Sequence, residues 1–245
     1  MDRRTDEGIV LRRWEYSETS QTVAVLTREA GIVRGLAKGA LRSGSAFSGG
    51  FEPVTRGNLG WIVKPSRELA ILTEWMPMEV YWDARRHPSG HLAAIYAVDL
   101  VIRLLRDEDP HPDVFDALDQ TLSSLAAPPS PSAHLLPFQW ALLDAVGWRP
   151  EIERDVVSGD PIDESLDVVG FRPAAGGAVS VPQGGDWAGR RSTMNVLSRL
   201  DHGHLEEASE STQRASALLA AWARELLGEE SEAMRLAFPE LKALR

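Results

Sequence analysis

The chain has 245 residues, a formal net charge of −10 and 43 % hydrophobic residues, which is the balance of a globular protein with one or two domains. It contains no cysteine, which excludes disulfides and thiolate metal sites and is typical of a cytoplasmic protein. No apolar run reaches the ~18 residues that a membrane span needs, and residues 1–8 lack the apolar segment of a secretory signal.

Several short segments near the N-terminus have the composition of β-strands. Residues 9–14, 21–27 and 31–37 are each strand-length and rich in Val, Ile, Leu, Thr and Trp, and turn-forming residues separate them. Residues 58–64 and 68–75 show two-residue alternation and predict two more strands. Five closely spaced strands, with a glycine-rich excursion after the third, predict a small β-barrel.

A basic, glycine-rich segment accompanies the third predicted strand. Residues 28–67 contain seven Lys and Arg against two Glu, a balance of +5, whereas residues 81–245 contain 15 against 26, a balance of −11. Because charges are screened beyond ~10 Å at 0.1 M salt, a local basic face on an acidic chain can still bind phosphates. A solvated basic surface without a ligand is the alternative. The candidate DNA-binding cations are Arg34, Lys38, Arg42, Arg56, Lys64 and Arg67.

Aromatic residues are interleaved with these cations, at Trp14, Tyr16, Phe47, Phe51 and Trp61. Stacking of a base on such a ring is worth ~1–3 kcal/mol and tolerates any sequence, whereas packing in the core is the alternative for each ring. Trp61 shares an apolar strand face with its neighbours, which favours the core. Phe47 lies in a glycine–serine loop and is therefore the candidate for base stacking.

The pattern becomes helical after residue 80. Amphipathic periodicity and capping residues predict five helices, at about 89–106, 112–125, 135–146, 192–200 and 211–227. The segment APPSPS, residues 127–132, predicts a linker or sharp corner because proline cannot extend a helix. Residues 148–188 show neither the periodicity of an amphipathic helix nor the two-residue alternation of a strand. They therefore predict an irregular insertion in the helical region.

No catalytic constellation is evident in the sequence. The phosphate-binding motif G-x-x-x-x-G-K-[ST] is absent, and no convincing Ser/His/Asp set offers a nucleophile. Asp201, His202 and His204 form the most metal-like cluster and would suit a metal-dependent nuclease, although an ordinary polar connection between helices explains the same residues. We expect neither enzymatic activity nor a cofactor.

Four motifs in residues 7–42 carry a family resemblance. In order they are E-x-I-V-L, S-E-T, L-T-R-E-x-G and A-K-G-A-x-R. This order resembles the N-terminal OB-fold of the RecO family of recombination mediators, and the resemblance covers about the first 80 residues well. It implies an α+β multidomain protein, with a five-stranded OB-fold β-barrel over residues 1–80 and an α-helical domain over residues 81–245.

The same resemblance implies a function. A RecO-like mediator binds single- and double-stranded DNA, promotes strand annealing and helps load RecA onto single strands coated by the single-stranded-DNA-binding protein (SSB). Its expected partners are DNA, RecR and the acidic C-terminal tail of SSB, in the cytoplasm at the nucleoid. Lys38 and Arg42 fall where the family carries basic residues credited with DNA contact. The alternative is an interaction adaptor whose barrel binds protein rather than DNA.

A second basic cluster lies in the acidic half of the chain. Its members are Arg190, Arg191, Arg199 and Arg214. The resemblance makes them candidates for binding the SSB tail, because cations facing carboxylates beside an apolar pocket suit an acidic, aromatic peptide. Salt bridges to neighbouring glutamates are the alternative.

The insertion departs from the family it resembles. Many members carry a four-cysteine zinc ribbon there, whereas this chain keeps its frame as D-V-V-S-G at 155–159 and G-G-A-V-S-V-P-Q at 176–183. One carboxylate and three neutral side chains suit zinc poorly, so we expect a degenerate, zinc-free ribbon. The four ligand positions fall on Asp155, Ser158, Ser180 and Gln183.

Overall fold

The computed structural model describes residues 2–64, 68–125, 131–180, 185–204 and 209–244. The chain divides into two compact units, Met1–Ser123 and Ser124–Arg245. The first unit therefore includes the barrel expected over residues 1–80 together with the helices that follow it. Within the described ranges, no helix is long and apolar enough to cross a membrane.

Five strands close into the barrel of the first unit. Going round it, the order is β1-β2-β3-β5-β4. Neighbouring strands are antiparallel except β3 and β5, which are parallel. This is the predicted five-stranded OB-fold. The strands are β1 Asp2–Ser17, β2 Ser20–Thr27, β3 Gly31–Ala37, β4 Arg56–Val63 and β5 Ala70–Glu79.

β1 is longer than predicted because it pairs with two strands. Its first half pairs with β4 and its second half with β2, and Gly8 lies opposite both Gly57 and Thr27. Residues 2–7 are charged or polar and mostly exposed, so they lack the apolar pattern by which a strand is recognised in a sequence. This doubly paired strand closes the barrel.

The barrel interior contains part of the glycine-rich segment between β3 and β4. Phe47 and Phe51 are 5 % and 0 % exposed, and their ring centroids lie 5.8 Å apart. Phe51 also stacks on Trp75 at 5.0 Å. Trp61, which the sequence assigned to the core, is buried in the same cluster. We call residues 40–51 the plug segment, because its two phenylalanines fill one end of the barrel.

Hydrogen bonds fix the plug segment to the strands around it. The backbone N–H of Trp75 donates to the carbonyl of Ala46 at 2.9 Å. The backbone N–H of Phe51 donates to Oε1 of the buried Gln21 at 3.0 Å. Gln21 lies on β2, so this part of the loop is tied to two strands as well as packed between them.

Three helices complete the first unit: α1 Trp82–Arg86, α2 Pro88–Leu104 and α3 Pro112–Ser124. α2 and α3 agree with the sequence prediction, while the five-residue α1 is too short to show periodicity. α2 packs against β1. After α2 the chain returns to β3, where Asp107 forms a parallel bridge with Ile32.

The second unit is mainly helical. Its longest helix, α6, packs against α4 and α5, and Trp222 of α6 is in edge contact with Phe171 and Trp187 at 6.5 and 6.2 Å. The predicted insertion contains a small sheet of order β7-β6-β8, whose strands of three to five residues are too short to recognise in the sequence. The elements are α4 Leu136–Ala145, β6 Val168–Arg172, β7 Gly177–Val179, β8 Trp187–Arg190, α5 Arg191–Asp201, α6 Glu210–Leu227 and α7 Glu232–Ala237.

Removing one plug phenylalanine should destabilise the barrel. We expect Phe47→Ala to lower the free energy of unfolding by about 3–5 kcal/mol, since it leaves a cavity beside Phe51. Urea unfolding followed by circular dichroism measures this change. Tyr16→Ala, which truncates a ring that is 65 % exposed, is the control and should change the free energy by less than about 0.5 kcal/mol. Equal changes in the free energy of unfolding for the two substitutions would contradict the conclusion that Phe47 packs in the barrel core.

Candidate nucleic-acid interface

The outer face of β1, β2 and β3 carries cations and an exposed aromatic ring. Arg12 lies opposite Ala24, which lies opposite Arg34 on β3. In the next row, Trp14 lies opposite Thr22. Residues directly opposite each other project to the same side of a sheet, so Arg12, Arg34 and Trp14 share the outer face. Arg12 and Trp14 are exposed.

The start of the glycine-rich segment is tied to the turn between β1 and β2. The backbone N–H of Gly39 donates to Ser20 Oγ at 3.0 Å, and that of Leu41 donates to the carbonyl of Thr19 at 3.1 Å. Gly39 has φ +71°, a left-handed conformation that favours glycine. These bonds place Lys38 and Arg42 beside the turn, at the end of the outer face.

Ion pairing divides the predicted DNA-binding cations into two groups. Arg34 Nε lies 2.6 Å from Asp107 Oδ2, so its charge is neutralised within the first unit. Lys38, Arg42 and Lys64 have no ion pair in the described part of the barrel, and Lys38 and Arg42 are exposed. Arg67 lies outside the described residues. The prediction treated these cations alike, but the structure leaves only some of them available to an external anion.

Arg56 belongs to a partly buried network. Its guanidinium forms ion pairs with Glu7 and with Asp119, the latter at 3.1 Å from Nε. Asp119 also accepts a hydrogen bond from the hydroxyl of Tyr81. Burial and this bond raise the pKa of Tyr81 above its ordinary value, so its hydroxyl stays protonated at neutral pH. These ion pairs join β4 to β1 and α3, so Arg56 is less available to an external anion than the unpaired cations, and its contact with DNA stays a prediction.

Lys64 lies in a cleft of mixed charge. The cleft has a volume of about 270 Å³, and Arg4, Arg34 and Lys64 contribute cations to it. It is also lined by four carboxylates, which would repel phosphate. These carboxylates belong to Glu29, Glu68, Asp107 and Glu108. Lys64 is therefore a weaker candidate for a phosphate contact than the cations beside the β1–β2 turn.

The stacking role predicted for Phe47 is wrong, because its ring is buried in the plug segment. The exposed rings belong instead to Trp14 and Tyr16, which are 38 % and 65 % exposed at the end of β1. The Arg12 guanidinium lies over the Trp14 ring, 5.3 Å from its centroid. The sequence signal for exposure was their place next to a turn, where strand alternation no longer forces one face into the core.

The second basic cluster is only partly assembled. Arg190 and Arg214 line an apolar cleft of about 300 Å³ with Trp187, Ala217 and Leu218. Arg190 is exposed, and Arg214 forms an ion pair with Glu210. Arg191 instead donates to the backbone carbonyls of Leu166 and Asp163, and Arg199 does not line the cleft.

The predicted metal-like cluster does not form a site. Asp201 Oδ1 accepts a hydrogen bond from Arg149 at 2.5 Å, and His202 Nδ1 lies 2.7 Å from the carbonyl of Ser198. Across the residues that the structure describes, no three His, Asp or Glu side chains are arranged to hold a metal ion. These contacts fit the alternative of a polar connection after α5.

Family models match both the barrel and the helical region of the chain. Residues 1–81 match the family model described as Recombination protein O N terminal, and residues 89–234 match the one described as Recombination protein O C terminal. The chain belongs to the RecO family.

Curated relatives carry the same family name. "DNA repair protein RecO" of Anaeromyxobacter dehalogenans (strain 2CP-C) is 34 % identical over 217 residues, covering 85 % of this chain and 83 % of the relative. The Myxococcus xanthus protein of that name is 32 % identical, covering 75 % and 74 %. The Salinibacter ruber protein is 32 % identical, covering 69 % and 67 %. The resemblance found in the first 80 residues thus extends into the helical region.

Three of the four positions predicted for a degenerate ribbon, Asp155, Ser158 and Ser180, meet in space around the Asp155 carboxylate. Asp155 Oδ1 accepts the backbone N–H groups of Val157 at 2.8 Å and Ser158 at 3.1 Å. Asp155 Oδ2 accepts the N–H of Ser180 at 2.7 Å, across the two loops. Hydrogen bonds from Ser180, Val157 and Ser158 lower the pKa of Asp155 to about 2. Gln183 lies outside the described residues.

This arrangement does not suit a zinc ion. Asp155 is buried, and its carboxylate oxygens already accept three backbone donors. Ser158 and Ser180 donate backbone N–H groups to it, and the Ser180 side chain also hydrogen-bonds to it. Backbone N–H groups are donors and cannot coordinate a cation. Zinc in structural sites binds thiolate, imidazole or carboxylate ligands in a tetrahedron. Hydrogen bonds to Asp155 therefore hold the two loops together.

Removing the Asp155 charge should loosen the ribbon region. We expect Asp155→Asn to lower the free energy of unfolding by about 1–3 kcal/mol at neutral pH, because an amide is a weaker acceptor and its NH₂ opposes backbone donors. The depressed pKa means that the carboxylate stabilises the fold above its ordinary pKa of 3.8 and loses this effect as the pH falls toward 2. The difference between wild type and variant should therefore shrink over that range.

The control for this substitution is Asp160→Asn, which changes an exposed carboxylate in the same loop. Urea unfolding should give the same midpoint for this control as for wild type, and EDTA should not change the midpoint of either protein. A drop in the wild-type midpoint with EDTA would contradict the metal-free ribbon.

Proposed function

We propose that this RecO-family protein binds single- and double-stranded DNA through the end of its barrel, beside the β1–β2 turn. The observation that carries the proposal is the pair of exposed cations Lys38 and Arg42, which have no ion pair among the described residues of an acidic chain. Backbone bonds to Thr19 and Ser20 hold their segment in place. A backbone segment that is held before binding loses little entropy when phosphates arrive.

The number of available cations sets the salt dependence. With Arg34 and Arg56 in ion pairs, the candidates at this end of the barrel are Arg12, Lys38 and Arg42. Each phosphate contact on a single strand contributes about −0.7 to the slope of log K against log salt, so three contacts give a slope of about −2. This is shallower than the slope of about −3.5 expected from five contacts, and it predicts modest affinity.

We infer that the protein promotes annealing and mediator exchange without catalysing a chemical reaction. Neutralised phosphates let two like-charged strands approach, and weak binding leaves bases free to pair. We include binding to RecR and loading of RecA in this proposal because the chain belongs to the RecO family. Co-elution with RecR on size exclusion, and RecA filament formation on SSB-coated single strands, test these steps. DNA cleavage that EDTA abolishes would contradict the non-enzymatic role.

The apolar cleft of the second unit is the proposed site for the SSB tail. Leu218, Ala217 and Trp187 give it an apolar floor, and Arg190 is an exposed cation at its edge. An acidic, aromatic peptide would place its ring in the cleft and a carboxylate on Arg190. In calorimetry with such a peptide, Arg190→Ala should weaken binding roughly tenfold. Arg235→Ala, an exposed cation on α7, should not, and equal affinities would exclude this cleft.

The DNA-binding proposal is tested by charge removal at matched sites. We expect Lys38→Ala/Arg42→Ala to weaken binding of a single strand of about 30 nucleotides and to reduce the salt slope by about 1.4, because two phosphate contacts are lost. Fluorescence anisotropy over about 50–200 mM salt measures both quantities.

The control is Arg3→Ala/Arg4→Ala, which removes the same charge from exposed cations that already pair with Glu74 and Asp2. It should leave the salt slope unchanged. If both double variants weaken binding equally, net charge rather than the β1–β2 end of the barrel governs affinity. If the wild type binds without salt dependence, the adaptor alternative is favoured.

A further inference from the structure

Two large aromatic side chains are exposed at the end of β1. Trp14 is 38 % exposed and Tyr16 is 65 % exposed, whereas Phe47, Phe51, Trp61 and Trp75 of the same barrel are nearly completely buried. The barrel core is therefore complete without Trp14 and Tyr16. Exposed aromatic rings on a binding face are usual where a ligand offers a flat surface for stacking.

The Trp14 ring has partly apolar neighbours on the adjoining strands and a cation over one face. Trp14 lies in a cross-strand row with Thr22 and Leu36, both of which are half-buried. The Arg12 guanidinium lies over the Trp14 ring at 5.3 Å from its centroid, which keeps this side chain on the outer face. An anionic polymer with flat bases is complementary to this combination of rings and cations.

The neighbouring loop brings two more cations to the same place. The hydrogen bond from Gly39 to Ser20 joins the loop after β3 to the residue opposite Ser17, next to Tyr16. The left-handed Gly39 has no side chain, and the Cδ of Arg42 would lie 3.4 Å from a Cβ there. Arg42 therefore packs over Gly39, beside the turn that Tyr16 precedes.

We propose that Trp14 and Tyr16 form a stacking platform for bases of single-stranded DNA, with Lys38 and Arg42 holding the adjoining phosphates. The proposal rests on the proposed DNA binding by the barrel and adds the part of the site that distinguishes single from double strands. Bases in a duplex are already stacked on each other, whereas those of a single strand can turn outward onto a ring. OB-folds bind oligonucleotides on the face of strands 2 and 3 and the adjoining loops, and this platform borders that region at the end of β1, beside the β1–β2 turn.

The position of the platform has a consequence for annealing. Aromatic stacking holds a base by its face and leaves its pairing edge open, while the cations hold only phosphates. A strand bound in this way can pair with a complementary strand before it is released. Phosphate contacts alone would bind duplex and single strand with little distinction, because both present the same backbone charge.

The test separates stacking from phosphate binding. Anisotropy titrations with labelled oligo(dT) and with a duplex of equal length are made for wild type, Trp14→Leu/Tyr16→Leu and Trp14→Phe/Tyr16→Phe. We expect the leucine variant to lose roughly tenfold or more in affinity for oligo(dT), while its duplex affinity and its salt slope stay within error. The phenylalanine variant should retain most of the wild-type affinity, since it keeps the rings.

Trp82→Leu is the matched control. Trp82 is 60 % exposed and also has a guanidinium near its ring, that of Arg85 at 5.8 Å, but it lies on α1. This variant should bind both DNAs as the wild type does, and thermal unfolding should give the same midpoint for all variants. If the leucine variant has a shifted midpoint, the phenylalanine variant decides whether lost binding reflects lost rings or lost stability. It should bind oligo(dT) nearly as the wild type does if aromatic character is what matters.

The outcomes distinguish this inference from the function on which it rests. Salt-dependent oligo(dT) binding that is as tight in the leucine variant as in wild type would overturn the stacking platform and leave DNA binding by the cations in place. Equal losses on oligo(dT) and duplex would also overturn it. Absence of salt-dependent binding in the wild type would overturn both proposals.

Discussion

The structure of the candidate interface depends on the burial of two phenylalanines in the end of the barrel. Phe47 and Phe51 pack against Trp75, and this contact turns a glycine- and serine-rich connection into a fixed part of the core. Without it, the segment after β3 would have to lose its conformational entropy each time it met a ligand. Because the segment is already held, the backbone that carries Lys38 and Arg42 has a defined position before anything binds.

Carboxylates of the first unit compete with an external anion for the cations of the outer face, and this competition decides which cations are available. In an acidic chain most arginines of the first unit find a carboxylate, as Arg34 finds Asp107 and Arg56 finds Glu7 and Asp119. Those pairs join the barrel strands to each other and to the segments that follow them. The cations that remain exposed and unpaired in the described barrel gather beside the β1–β2 turn, next to exposed aromatic rings. A local interface therefore coexists with a net charge of −10.

Sequence patterns predicted those parts of the fold that depend on local chemistry. β3 is found at its predicted ends because β-branched residues and flanking turns define it. The first half of β1 was missed because it is a strand through its pairing with β4, which is distant in the sequence. Phe47 was misassigned because loop composition says nothing about burial, and the ion pairs of Arg56 were not foreseen because its carboxylate partners are distant in sequence. Asp155 was singled out in the sequence as a ribbon position, but its backbone donors appear only in three dimensions.

Hydrogen–deuterium exchange with and without saturating oligo(dT) tests the central claim most directly, because it maps the DNA on the chain without any substitution. The account predicts added protection in the β1–β2 turn and in residues 38–44, with little change in the plug phenylalanines, which are already buried. Protection confined to the second unit, or absent from the first, would show that the barrel end is not where DNA binds.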